Sequence, residues 1–333
     1  MGRARLDGDG QEMAWRDNRE VASLLVASAG GHLEELWLLR PRLGELGEDV
    51  TWVTWETPQS RSLLRGEQRI FVRFPKPRDA RATLSIARLA SRVLSGGSWS
   101  DVVSTGSLPA VPFLTLARLR GIRAHFIESA ARVDAHSLSA RILERTPGVH
   151  RYVQYRTWSR RWWRYGGSVF DSFAPAPGQP AELRRVVVTV GSNGYDFGRA
   201  LAAVRRALPP EAEVLWQTGA SDVGGLDIEA RPFLPPAELS AAMASADLVV
   251  AHAGVGSALA AMQAGHCPVL LPRRRSAGEH VDDHQLQLAA ALSARGLAMV
   301  TDPEDLDRRL LLAAAGRRVE AHRAPPPFQL VHA

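Results

Sequence analysis

Hydrophobic residues along this chain come in short runs separated by glycine, proline and polar clusters. In the first half such runs fall near residues 22–27, 50–54, 69–74, 101–105, 122–127 and 150–154. Runs of this length without polar alternation read as strands buried on both faces, the mark of a parallel sheet. Helices fill the intervals, and Pro41 is placed to kink the first of them. A second series opens at Arg185, where RVVVTVGSNGYDFGRAL repeats the strand, glycine loop and helix order of SLLVASAGGHLEELWLL. It continues through Asp247 to Ala251, which breaks at HAGVGS, and through Cys267 to Leu271, which ends at Pro272 ahead of a helix beginning near HVDDHQ. Two such series predict an α/β chain with two Rossmann-like domains facing a central cleft.

The polar, proline-rich or featureless stretches supply the boundaries. Residues 1–20 lack an apolar segment and read as a disordered tail, and residues 174–184, APAPGQPAELR, read as a linker. That leaves 21–173 as an N-terminal domain and 185–333 as a C-terminal one. A length of 333 residues suits two cores of ~150 residues. The single cysteine, Cys267, excludes a disulfide framework, and its place in a buried strand makes it a core thiol. A net charge of +6 favours acidic partners, although Lys76 is the only lysine among 41 basic residues, which points to codon bias behind part of the arginine excess. No nucleic-acid motif accompanies the charge, so sugar nucleotides and anionic lipid head groups fit better than nucleic acid. No uninterrupted apolar run of ~18 residues predicts a transmembrane helix.

The chemistry gathers at strand ends. HAGVGS, residues 252–257, puts glycines and a helix N-terminus after a strand, where backbone N–H groups favour an anion. A dinucleotide fingerprint does not fit, because the third small residue would be Leu259 and Leu271 leads into Pro272 and Arg273, with no acid to hold a ribose. DxD occurs at Asp7-Gly8-Asp9 and Asp305-Leu306-Asp307, and neither ends a hydrophobic strand. Neither is therefore placed to hold a Mg²⁺ or Mn²⁺ against a diphosphate, and an anion at these loops would be met by backbone N–H groups and by Arg273 to Arg275. His32 follows a glycine turn and suits a proton acceptor, or else a cap for its own helix.

The spelling of the second half resembles the C-terminal domain of family 28 glycosyltransferases, which have the GT-B architecture: a hydrophobic strand into HxGxGS, a GxxP turn, then a DHQ helix. GEHVDDHQ resembles most closely the catalytic half of two-part bacterial exopolysaccharide transferases (PssE type) and of the eukaryotic UDP-GlcNAc:dolichyl-diphosphate GlcNAc transferase. In the first half GGHLEE, STGSLPAVP, IESAARV and the segment at Gln154 resemble the PssD-type recruiting partner, so the chain looks like a fusion of the two, and more distantly like MurG. It departs from the eukaryotic recruiting subunit, which begins with a transmembrane helix.

The resemblance implies a donor site of Gly191, Ser192, Asn193, Gln217, Thr218, Phe233, Leu234, His252, Gly254, Gly256, Ser257, Asp283, His284 and Gln285. It implies acceptor contacts at Ser107, Glu128 and Arg132. His32 corresponds to a catalytic base, with Glu35 either orienting it or complementing the helix dipole. Glu128 and Arg132 equally suit an i, i+4 surface pair, Phe233 a core position, and His252 a brace for its loop. Ala260 stands where the family carries a ribose-binding Glu.

The activity implied is an inverting, metal-independent transfer of a GlcNAc, glucose or galactose type sugar from a UDP donor, with no further cofactor. The acceptor is a lipid-linked saccharide, in polysaccharide or glycolipid biosynthesis, on the cytoplasmic face of the cell membrane. Arg81, Arg88 and Arg92 on an amphipathic helix and RTWSRRWWRY at 156–165 are the candidate contacts to an anionic bilayer, the second segment packing its Trp residues on the sheet as the other reading. A soluble transferase acting on a small metabolite, or a nucleotide-sugar scaffold without catalysis, are the alternatives.

Overall fold

The computed structural model describes residues 5–6, 12–13, 22–44, 46, 49–72, 80–160, 162–179, 182–191 and 194–331. Of the expected disordered tail, Arg5–Leu6 and Glu12–Met13 pair as a short antiparallel ribbon, and the rest lies outside the described residues. The chain forms two compact units.

The first unit is built on a seven-stranded sheet. Its elements are β1 (Ala22–Ala27), α1 (Gly31–Leu39), β2 (Val50–Trp55), α2 (Pro58–Leu63), β3 (Gln68–Val72), α3 (Ala80–Ser95), β4 (Trp99–Gly106), α4 (Ala110–Leu119), β5 (Arg123–Ile127), α5 (Leu138–Leu143), β6 (Val149–Val153) and β7 (Arg164–Tyr165). All seven strands are parallel, in the order β3-β2-β1-β4-β5-β6-β7. The turn of strand order between β1 and β4 is the Rossmann switch point, outside which ligands of such sheets bind. Leu24, Leu25 and Val26 are wholly buried, as a strand covered on both faces requires. α1 stops at Leu39 and tightens into a 3₁₀ turn over Arg40–Arg42, because Pro41 cannot continue the α-helical hydrogen bonds.

The second unit contains β8 (Phe173–Pro177), β9 (Arg185–Thr189), α6 (Gly198–Ala207), β10 (Glu213–Gln217), β11 (Ala230–Arg231), α7 (Pro236–Ser245), β12 (Leu248–His252), α8 (Val255–Gln263), β13 (Val269–Leu271), α9 (His284–Ala294), β14 (Met299–Val300), α10 (Arg308–Ala315) and β15 (Arg317–Ala321). Its six-stranded parallel sheet runs β11-β10-β9-β12-β13-β14, the same winding as the first.

Three boundaries differ from the sequence reading. The units divide at Val169/Phe170, and the start of the expected linker, residues 174–177, is strand: β8 pairs antiparallel with β15, with Pro175 opposite Val319 and Pro177 opposite Arg317. Proline lacks a donor but is tolerated on an edge strand of this kind. The 131–134 loop belongs to the second unit, and Pro326 to the chain end belong to the first. Phe328 packs edge-on against Tyr152 at 5.8 Å between ring centroids, and the Val331 N–H donates to the Tyr152 hydroxyl at 2.9 Å.

Apolar side chains of both segments expected at a bilayer pack on the core. Ile86, Leu89 and Val93 of α3 are buried, so its apolar stripe faces inward, while Arg88, Arg92 and Leu84 stay outside. Trp163 is buried against Phe126 and donates to Glu144 at 2.8 Å, while Trp162, together with Arg160 and Arg164, is exposed. Among the described residues no helix is long and apolar enough to cross a membrane.

Candidate functional site

In the first unit the residues of interest meet beyond the C-terminal edge of β1 and β4. Gly30, at φ +94°, turns the chain from β1 into α1, and its N–H donates to Gln59 Oε1 at 2.6 Å. This leaves His32 in the first turn of α1, half-buried. Its Nδ1 donates to the Thr105 carbonyl at 2.9 Å, while the Thr105 hydroxyl donates to the His32 carbonyl at 2.7 Å. Reciprocal bonds fix the ring, and the proton on Nδ1 makes Nε2 the basic nitrogen. Gly106 follows, at φ +119°, and a Cβ there would come within 3.2 Å of the imidazole. Ser107, at φ +70°, is the one described non-glycine residue in the left-handed region. Backbone strain of this kind costs of order 1–3 kcal/mol and is typically held at functional sites.

Glu35 points elsewhere than the sequence suggests. It is fully buried, and its carboxyl accepts from Ser129 Oγ at 2.6 Å, the Ala130 N–H at 3.0 Å and Gln154 Nε2 at 3.0 Å. Burial pushes its pKa up to about 7, against those three donors and helped by the nearby Glu128. Its place is that of a brace between α1 and the loop after β5. Glu128 is another brace, accepting from the Ser129 and Ser137 N–H groups. The surface pair of Glu128 with Arg132 does not form: Arg132 Nη1 donates to Asp282 Oδ2 at 2.8 Å within the second unit.

In the second unit β9 and β12 lie side by side and end in the two glycine turns. The His252 ring fills the space between them: a Cβ on Gly191 would lie 2.7 Å from its Cε1 and a Cβ on Gly254 would lie 2.3 Å from its Nε2. Burial, then the charge of Arg273, lower the His252 pKa to about 3, so the imidazole is neutral and is held by Thr189 and by Ser257 Oγ at 3.3 Å. α8 then opens at Gly254 with no side-chain cap, leaving its first-turn N–H groups, those of Val255, Gly256 and Ser257, as donors for an anion. Ser192 and Asn193 lie outside the described residues.

Several expected donor contacts are instead internal bonds. Gln217 Oε1 accepts from the Thr189 hydroxyl at 2.5 Å, and Thr218 is buried, its N–H donating to the Arg231 carbonyl. Leu234 is core, at 1% exposure, whereas Phe233 stands out at 49%, the opposite of a core Phe and open to stacking on a base. Gln285 Oε1 accepts from the Arg273 N–H, and Asp283 Oδ1 accepts from the Arg275 N–H. The Arg273 guanidinium, expected to meet the diphosphate, is buried and donates to the carbonyls of Val190, Tyr195, Asp196 and Glu279. Glu279 in turn holds Arg199 through two bonds of 2.9 Å. The 273–283 loop is thus clamped onto the segment after β9.

One cluster escaped the sequence reading. His280, Asp282 and His284 bring one donor atom each within 4.8 Å, the only such group of His, Cys, Asp or Glu among the described residues. The signal that could have found it is the H-x-D-x-H spacing inside GEHVDDHQ. Of the DxD sequences, Asp305 is exposed and Asp307 caps α10 through the Leu310 N–H, while Asp7 and Asp9 are outside the described residues.

Residues 185–326 match the glycosyltransferase family 28 C-terminal domain. A UDP-N-acetylglucosamine--N-acetylmuramyl-(pentapeptide) pyrophosphoryl-undecaprenol N-acetylglucosamine transferase of Chlorobium phaeobacteroides is 26% identical over 247 residues, covering 67% of this chain. The match spans 65% of that protein's length, a little under two thirds. Among solved structures, Acinetobacter baumannii MurG is similar with a TM-score of 0.53 at 19% identity, over 88% of this chain and 93% of that one. Arabidopsis thaliana UGT89C1, complexed with UDP-L-rhamnose, gives 0.55 at 15% identity over 89% and 90%. S. aureus MnaA with UDP gives 0.57 at 10% identity over 93% and 92%. At these identities the likeness establishes the fold, which is GT-B.

Proposed function

We propose that this chain is an inverting glycosyltransferase that moves a sugar from a UDP donor to a lipid-linked saccharide. The observation that carries the reading is the pair of glycine turns closed over a neutral His252, beside the uncapped start of α8. Such a pocket offers backbone N–H groups and a helix dipole to a diphosphate. The family match over the same residues favours a uridine nucleotide, as does S. aureus MnaA, a protein of similar fold solved together with UDP. The exposure of Phe233 after β11 supports its role as the residue that stacks on the base.

The lipid-linked acceptor follows from the first unit and from the Chlorobium relative, which acts on a pyrophosphoryl-undecaprenol substrate. Ser139 Oγ donates to the Ser107 carbonyl at 3.1 Å, and around that bond Leu108, Leu138 and Ile142 are exposed. Apolar side chains left in water next to a strained serine favour an acceptor with a hydrocarbon part over a polar metabolite. We read the chain as peripheral on the cytoplasmic membrane face, combining a PssD-like acceptor half with a PssE-like donor half.

The reaction runs by direct displacement, with His32 Nε2 taking the acceptor proton and the α8 N-terminus holding the departing UDP. No resident metal is needed in that scheme. The test is UDP release from a panel of UDP-sugars, with undecaprenyl- or dolichyl-diphosphate saccharides as acceptors and EDTA in parallel. Turnover that survives chelation and requires the lipid-linked acceptor supports the reading. Loss of turnover on chelation, restored by Mn²⁺, overturns the metal-free part, and activity on water-soluble sugars alone overturns the acceptor.

A further inference from the structure

The loop leading into α9 gathers two imidazoles and a carboxylate around one point. His280 Nδ1 lies 3.5 Å from Asp282 Oδ1, and His284 Nδ1 contacts that same oxygen. The two imidazole rings meet edge-on with centroids 4.6 Å apart, so the nitrogens approach from different directions. His280 Nδ1 is shut off from solvent and has no hydrogen-bond partner. A buried nitrogen left without a partner is destabilising, a penalty that a bound ligand removes.

We propose that His280, Asp282 and His284 form a binding site for a divalent transition-metal ion of the zinc class. Two imidazole nitrogens with one carboxylate oxygen suit Zn²⁺, Co²⁺, Ni²⁺ or Cu²⁺, whereas Mg²⁺ and Ca²⁺ require oxygen shells. A tetrahedral zinc site with bonds of ~2.0–2.2 Å sets its ligand atoms about 3.3 Å apart. The His280 nitrogen already sits near that distance from Asp282 Oδ1, and an ion bound between them takes the place of the direct His284–Asp282 contact. The other carboxylate oxygen, Oδ2, accepts from Arg132 at 2.8 Å, an outer bond that orients Oδ1 towards the ion. The surrounding loop is pinned by Arg275 N–H to Asp283 and by Arg274 N–H to Glu279 at 2.9 Å, so the ligands are held by rigid backbone. Three protein ligands leave a fourth position for water or an incoming oxygen, the pattern of an exchangeable site.

The proposal stands apart from the transferase reading, because metal uptake is measured without donor or acceptor. The whole protein is stripped with chelator, exchanged into clean buffer and titrated with Co²⁺. A visible d–d absorption that saturates at one equivalent and is displaced by Zn²⁺ but not by Mg²⁺ is expected. His280→Ala should abolish that band, as should Asp282→Asn, while His322→Ala, on the exposed β15 side, should leave it intact. Circular dichroism establishes that each variant is folded, and His280→Gln replaces His280→Ala if the latter unfolds. Absence of a saturable band, or a band that persists in folded His280 and Asp282 variants, overturns the site.

Discussion

His32 and Glu35 sit one helical turn apart on α1 and make opposite predictions. If Nε2 of His32 accepts the acceptor proton, His32→Ala should lower turnover by about 10²–10⁴ while UDP affinity, measured by calorimetry, barely moves. A folded variant with near-normal turnover would remove the base. Glu35, by contrast, acts on stability. Its pKa rises from an ordinary carboxyl value to about 7, so the folded state holds a proton that the unfolded chain releases near pH 4.5. Its contribution is full below pH 4.5 and is lost as pH rises through about 7. The melting-temperature difference between wild type and Glu35→Gln should therefore shrink from pH 5 to pH 8, and a difference independent of pH would contradict that reading. These two residues also mark what the sequence conveys. A motif places Glu35, Gln217, Gln285 and Arg273 beside a site, but cannot reveal that each spends its polar atoms on neighbouring loops. Phe233 and Leu234 are adjacent in the chain, yet one is open and the other core.

At the scale of elements, the glycine turns are tied to one ring. Gly254 has ordinary extended backbone, φ −91° and ψ 141°, so what forbids a side chain there is the His252 imidazole. Gly191 has that obstacle and a φ of +78° as well. Gly254→Ala should cost UDP affinity about tenfold or more, and His252→Ala should restore it in the double variant by vacating the space. Gly191→Ala should resist the same rescue, because the strained backbone remains. Equal rescue of both, or of neither, would refute this account. Strand positions were legible to within about two residues because parallel strands buried on both faces are continuous apolar runs. The failures have the same physical root. An amphipathic helix packed on a core carries the same periodicity as one lying on a bilayer, which is why α3 misleads. A proline-rich edge strand reads as a linker, which is why β8 does.

The two Rossmann-like series and the glycine turns could be read from the whole chain, but its partition could not, since the return of 326–331 to the first unit rests on tertiary contacts of Phe328 and Val331. A fragment spanning 170–325 should fold and bind UDP by itself, whereas one starting at Pro180 loses β8 and leaves β15 unpaired. Binding by the shorter fragment with undiminished melting temperature would show that β8 is dispensable. That same partition bears on synthesis at the ribosome. The first unit holds the early residues and also 326–331, so its Tyr152 surface stays open while the whole second unit is translated. Its closing contacts form after translation of the second unit, and a ribosome stalled within residues 170–325 would carry a nascent chain that chaperones and proteases recognise as unfinished.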